Sequence, residues 1–373
     1  MRIQPFKLER YFAEYEFKVR FLLSPSDCES LSLAELLAMA DPDSRRLWDE
    51  LRLSYTESQG HPVLRQEIAD LYRSIHPEQV LVAAPEEAIF ITMHALVEAG
   101  DEIVSIAPAY QSLYEIARSL GCQVKPWRVT LAGDRWRLDL DELADLLTPR
   151  TRLLVINFPH NPTGLLPSLA EFQQMLSLAE SRGALIFSDE MYRGLEYHAS
   201  DQLPAACDLS ERAISLSGLS KTYALPGLRL GWLATRQSGL LPRWLEFKDY
   251  TTICHSAPSE ILGVIALRKQ EEISARSLGI LQKNLAIAQA FFSRRRDQFR
   301  WIAPQAGSVA FPRWIGEGSL EKLCQVVLEQ HEVMIVPGSI FDGPADHFRL
   351  GLGRLNFEEA LNRLEIYLAE TEA

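Results

Sequence analysis

The chain lacks any apolar run approaching the ~18 residues of a membrane-spanning helix. Its opening residues, Met1 to Pro5, contain no apolar core of a secretory signal, so a cytoplasmic protein without membrane partners is expected. Cysteine is scarce: five residues, at 28, 122, 207, 254 and 324, form an odd set without metal-ligand clustering, and no metal is expected. Positive charge is in deficit. A formal charge of -12 disfavours extended contact with nucleic acid. Internal repeats, low-complexity tracts and long linkers are also missing.

What is present is ordinary for a globular chain: 373 residues, 47% hydrophobic and 24% charged, enough for one large core and a smaller one. From about residue 80, apolar strand candidates alternate with helical segments. VLVAA, EIVSIAP, LLVINFP, ALIFSDE, AISLSG and LRLGWLA are the strands. Near-continuous apolar strands separated by helices predict a mostly parallel sheet covered on both faces, with ligands beyond the strands' carboxyl ends. Residues 259–299 have helical spacing and few breakers. After Pro304, short strands (SVAFPRW, VMIVPG, HFRLGLG) alternate with helices, the α+β pattern of a smaller domain. The expected organisation is an N-terminal segment (1–48) shared between pocket and small domain, a large domain (49–258), and connecting helices with the small C-terminal domain (259–373).

The strongest chemical signal is SLSGLSKTYALPGLRLGW, residues 215–232. A lone lysine is most often a solvated charge. Here Ser217, Gly218 and Ser220 leave room for a bulky anionic ligand beside Lys221, and Arg229 can neutralise one. The window resembles the cofactor-lysine segment of the class I and II aminotransferases, fold-type-I enzymes of pyridoxal 5'-phosphate (PLP). The resemblance implies an α/β fold with a seven-stranded, mostly parallel sheet in its large domain. It also implies that Lys221 forms a Schiff base with PLP and that Arg229 binds the PLP phosphate.

Further family motifs follow in order. NFPHNPTG (157–164) resembles the loop whose asparagine, here Asn161, contacts the pyridine hydroxyl; alone it is a good turn sequence. In SDEMY (188–192), Asp189 matches the carboxylate at the pyridine nitrogen and Tyr192 a second hydroxyl contact. A carboxylate there favours the protonated ring, which takes up carbanion charge. Tyr110 matches the aromatic residue on the ring face, and Tyr55 a tyrosine that reaches the partner subunit's phosphate in a homodimer. Arg349 matches the clamp on the substrate α-carboxylate. APEEA (84–88) resembles the helix start that receives the phosphate. It departs from the family at Pro85, which has no N–H, so the amides of Glu86 and Glu87 must donate while their carboxylates turn away. Gly218 stands where many relatives have a hydroxyl, for which Ser217 or Ser220 compensates.

The cofactor residues identify PLP and a free amino acid as substrate, but not the reaction. The beginning of the chain, with Leu8-Glu9, Tyr11-Phe12 and Ser26-Asp27-Cys28-Glu29, resembles the branch holding arginine-modifying cyclases of the capreomycidine-synthase kind. Glu9, Asp27 and Glu29 can offer carboxylates to a guanidinium, with Cys28, His61 and His160 as further pocket candidates. For each acid the competing reading is a solvated charge or a helix cap. The leading expectation is dehydration and cyclisation of a β- or γ-hydroxylated arginine, with Lys221 as base. The alternatives are an ordinary aminotransferase and, remotely, a catalytically silent scaffold.

Overall fold

The computed structural model describes residues 3–372. The main sheet has seven strands: β1 (Val80–Ala83), β2 (Glu102–Ala107), β3 (Gln123–Arg128), β4 (Thr151–Asn157), β5 (Leu185–Asp189), β6 (Ala213–Gly218) and β7 (Gly231–Thr235). Their order across the sheet is β1-β7-β6-β5-β4-β2-β3. All pairs are parallel except those of β7, which runs antiparallel to β1 and β6. Every residue of β1, β5 and β6 is buried, as their unbroken apolar composition predicts for a sheet covered on both faces.

Strand order reverses between β4 and β2, which opens a crevice beyond their carboxyl ends. The segments leaving these ends carry Tyr110 and Asn161. Neighbouring β5 ends on Asp189, and β6 ends three residues before Lys221. Helix α2 (Pro85–Leu96) starts at the same edge, and helix α3 (Ser112–Ser119) follows Tyr110.

Two strands differ from the sequence pattern: β3, QVKPWR, is a largely exposed edge strand without an apolar run and is not among the strand candidates, and β7 starts later than expected. LRLGWLA predicts a strand from Leu228, but Pro226–Leu228 form a tight helical turn, and the strand begins at Gly231. Arg229 lies between them in the left-handed region, at φ 54. That conformation costs a residue with a Cβ ~1–2 kcal/mol, and here it turns the guanidinium to the crevice.

Helices at Ala257–Arg268 and Gln270–Arg294 carry the chain to the smaller α+β domain. There Val309–Ala310, Phe348–Gly351 and Val336–Pro337 form a three-stranded antiparallel sheet beside helices Leu320–His331 and Phe357–Glu372. The N-terminal segment joins this domain. Helix α1 (Lys7–Tyr15) is followed by Phe21–Leu22, which pairs in parallel with Val333–Met334. Residues 23–29 then continue as a strap: Gly351 N–H donates to Leu23 O at 2.6 Å and Glu29 N–H to Gly353 O at 2.8 Å. Among the described residues no helix is long and apolar enough to cross a membrane.

The strap packs backbone to backbone, which requires glycine opposite it. A Cβ on Gly351 would lie 1.9 Å from Pro25 O. Gly351→Ala is therefore expected to destabilise the fold by ~1–3 kcal/mol or more, read as a lowered midpoint of thermal unfolding.

Candidate active site

A cavity of about 550 Å³ lies at the carboxyl edge of the sheet, roofed by α1 and the strap. Lys221 is set on its floor by the turn after β6, and its Nζ donates to Ser26 Oγ at 2.9 Å. Burial lowers the Lys221 pKa, as do the cations Arg349 and Arg229, while Asp27 and Glu9 oppose the shift. This environment favours the neutral, nucleophilic amine.

Asp189, at the end of β5, is buried and accepts from Met191 N–H at 3.1 Å. Burial pushes its pKa up to about 7, Glu190 adds to the rise, and the Met191 hydrogen bond and Lys221 oppose it. A carboxyl so poised gains most from a cationic N–H partner. Asn157 fastens the neighbouring strand ends, with its Nδ2 donating to Asp189 O at 3.0 Å and its Oδ1 accepting from Asn161 N–H at 2.8 Å.

Asn161 and Tyr192 are buried in the cavity wall. Arg349, only 1% exposed, donates Nε to Ser24 O at 2.9 Å and Nη1 to Asn161 Oδ1 at 3.3 Å. Its guanidinium also lies over the rings of Phe341 and Phe12, at 5.0 and 5.7 Å. Nη2 has no hydrogen-bond partner among the described residues. A buried donor left unpaired is costly, and a carboxylate entering the cavity would satisfy it.

Tyr110 lines the cavity with its hydroxyl donating to Glu9 Oε1 at 3.0 Å and its ring tilted against Phe6. Arg229, Ser220 and the start of α2 line the cavity as well. Ser220 Oγ is buried and unpartnered among the described residues.

The two α2 glutamates diverge. The Glu87 carboxylate turns away, as expected, to Lys248, Thr251 and Thr252. The expectation fails for Glu86, whose carboxyl lines the cavity and accepts from Ser112 Oγ at 3.3 Å. A serine hydroxyl at the start of α3 gives it a reason to point inward.

Several candidates for the side-chain pocket lie elsewhere. Cys28 is fully buried, and burial raises its thiol to about 12. Glu29 caps the backbone at Leu355. His61 caps helix Pro62–Ala69 by accepting from Val63 N–H at 3.2 Å. His160 is locked within its turn, with Nδ1 2.7 Å from Thr163 Oγ1 and Nε2 2.9 Å from Pro108 O. Ser217 is buried within β6 and does not line the cavity; between the two candidate hydroxyls, Ser220 is the one in the wall. Gly218 has a packing reason: a Cβ there would sit 2.9 Å from Gly231 Cα. Asp27 does line the cavity, but is paired with Arg354 at 3.0 Å. Tyr55 is 87% exposed and borders a separate open groove with His61 and Glu260.

The cavity also contains residues that sequence reasoning missed. Ser26 belongs to the N-terminal motif, which assigns it no role. Glu16 and Phe12 had a signal: Leu8, Glu9, Phe12 and Glu16 follow helical spacing on one face of α1, and all four reach the cavity.

A depressed lysine, a carboxyl held near neutrality, a free hydroxyl and a half-paired arginine together suit PLP: an aldehyde, a ring nitrogen, a phosphate and the carboxylate of its substrate. The comparisons agree. A family model described as aminotransferase class I and II matches residues 33–364. Capreomycidine synthase of Streptomyces vinaceus is 31% identical over 348 residues, 92% of this chain and 88% of that protein. The crystal structure of a PLP-dependent aminotransferase from Streptococcus suis superposes with a TM-score of 0.91 at 29% identity, covering 99% of this chain and 98% of that one. A PLP-dependent cyclase gives 0.90 at 29% identity, covering 100% and 98%. The chain belongs to the class I and II aminotransferase family, as a fold-type-I enzyme that uses PLP and acts on an amino acid.

Proposed function

We propose that this enzyme is an aminotransferase for a free amino acid with a positively charged side chain. The observation that supports this most directly is the charge of the cavity wall. Arg349 offers a carboxylate-binding donor at one side, while Glu9, Glu16, Asp27 and Glu86 line the same cavity. In this reading Lys221, Asp189, Asn161, Tyr192, Tyr110, Arg229, Ser220 and the amides of Glu86 and Glu87 hold the cofactor. When bound, PLP supplies an electron sink for the charge that develops at the substrate Cα.

The chain's own residues do the rest. Arg349 fixes the α-carboxylate through Nη2, while Ser24 and Asn161 hold the guanidinium plane. Lys221, whose surroundings favour the neutral amine, takes the proton from Cα through Nζ and delivers it to a different atom rather than back to Cα. Asp189 stabilises positive charge at its partner nitrogen, and α1 with Phe12 excludes water above. The Tyr55 groove supports a dimer in which each subunit lends Tyr55 to its neighbour's site.

A second reading is dehydration and cyclisation of a β- or γ-hydroxylated arginine. It is favoured by the similarity to capreomycidine synthase and to the cyclase structure. The same acidic wall and the same base serve it, because both routes begin with proton removal at Cα. They part at the next step, when Lys221 either reprotonates a different atom or a side-chain hydroxyl departs as water.

Mass spectrometry of the holoenzyme with arginine, lysine and β- and γ-hydroxyarginine, each with and without a keto-acid acceptor, separates the two. Acceptor-dependent formation of a keto acid is expected. Acceptor-independent loss of one water would overturn the aminotransferase reading in favour of the cyclase. Lys221→Ala should lose the lysine-dependent cofactor absorbance and slow turnover by roughly 10³-fold or more. Arg349→Lys, which cannot keep its partners and a bidentate grip together, should weaken amino-acid binding ~10- to 100-fold, measured by spectral titration.

A further inference from the structure

We propose that the Glu86 side chain is a specificity-determining group that, together with Glu9 across the Tyr110 hydroxyl, binds the positive end of the substrate's side chain. This rests on the cationic-substrate reading above and assigns it a residue that the cofactor motifs place only through its amide.

Arg349 Nη2, buried and unpartnered, marks where the α-carboxylate binds, and Lys221 marks Cα. In this reading the side chain runs towards the wall made by α1 and the side chain of Glu86. Two carboxyl groups flank Tyr110 there. Glu9 accepts the tyrosine hydroxyl at 3.0 Å, and Glu86 accepts the Ser112 hydroxyl at 3.3 Å. Each keeps lone pairs to spare.

Most other acids at or near the cavity are otherwise engaged: Asp189 serves the cofactor's ring nitrogen in the reading above, and Glu16 feels Arg354 and Lys221. Glu87 has Lys248, and Asp27 has Arg354. Among the described residues Glu9 and Glu86 have no ion-pair partner. A neutral pair would suit an apolar substrate better if it were replaced by apolar residues, because desolvated carboxyls are costly unless something answers them. A guanidinium or ammonium between them does so.

The electrostatics agree. Burial raises the Glu86 pKa to about 7, and Glu9 on α1 and Asp189 on β5 add to the rise. The Ser112 hydrogen bond and Arg229 oppose it, and Tyr110 is the remaining titratable neighbour. A bound cation favours the ionised carboxylate and so draws this pKa down. Preference for a cationic over a neutral side chain should therefore be strongest above pH 7 and fade as pH falls through it.

The test is a spectral titration of the PLP-loaded enzyme with L-arginine and with L-norleucine, its neutral counterpart, from pH 6 to 8. Wild type should bind arginine at least ~10-fold tighter, with the ratio rising with pH, since hydrogen bonds to charged groups are worth about that much. Glu86→Gln should reduce the ratio by on the order of tenfold and flatten its pH dependence; norleucine corrects for titration of the α-amino group. Glu9→Gln should also reduce the ratio and, by removing a charge that raises the Glu86 pKa, move its pH dependence to lower pH, which decides the matter if the first variant folds poorly. A wild-type ratio and slope retained in Glu86→Gln would overturn this assignment alone. Absence of any arginine preference in wild type would overturn the cationic-substrate reading with it.

Discussion

The contact on which the site depends is the seat of Arg349 against the N-terminal strap. Ser24 works in both directions: its carbonyl accepts Arg349 Nε, while its hydroxyl donates to Arg349 O and accepts Val336 N–H. One residue of the strap thus joins two strands of the small domain and orients a guanidinium that is almost fully buried. Burying such a charge is tolerable because three sides are answered, by Ser24, by Asn161 from the large domain, and by the rings of Phe12 and Phe341. The fourth side, Nη2, has no partner among the described residues.

The same strap brings Ser26 to Lys221 and Asp27 to Arg354. Charges in this cavity are consequently set by one another rather than by water. Removal from solvent presses Lys221 towards its amine and Asp189 towards its acid, two shifts that a cofactor with a cationic ring nitrogen would reverse or use. The left-handed Arg229 belongs to the same economy of position: backbone strain is accepted where a guanidinium has to face the cavity.

Much of this was legible in the residues because it is local. Apolar runs bounded by breakers mark the strands, and a parallel sheet places its ligand at their carboxyl ends, so Asp189 and Lys221 could be assigned to one edge before any coordinates. The pocket around the side chain was less legible. Glu29, His61 and His160 have the right chemistry, but each finds a nearer backbone or hydroxyl partner. Glu86 shows the converse: its motif predicts an outward carboxylate, and Ser112, 26 residues away in sequence, turns it inward.

The sequence by itself determined the family, the cofactor and the alternation of strands and helices along the chain, since these rest on short-range pattern and on motifs a few residues long. Tertiary structure decided which carboxylates line the cavity and which of those are left without an ion pair. That choice depends on whether a side chain has a closer partner, and such partners come from segments far apart in the chain: Arg354 for Asp27, Lys248 for Glu87, and the Tyr110 hydroxyl for Glu9.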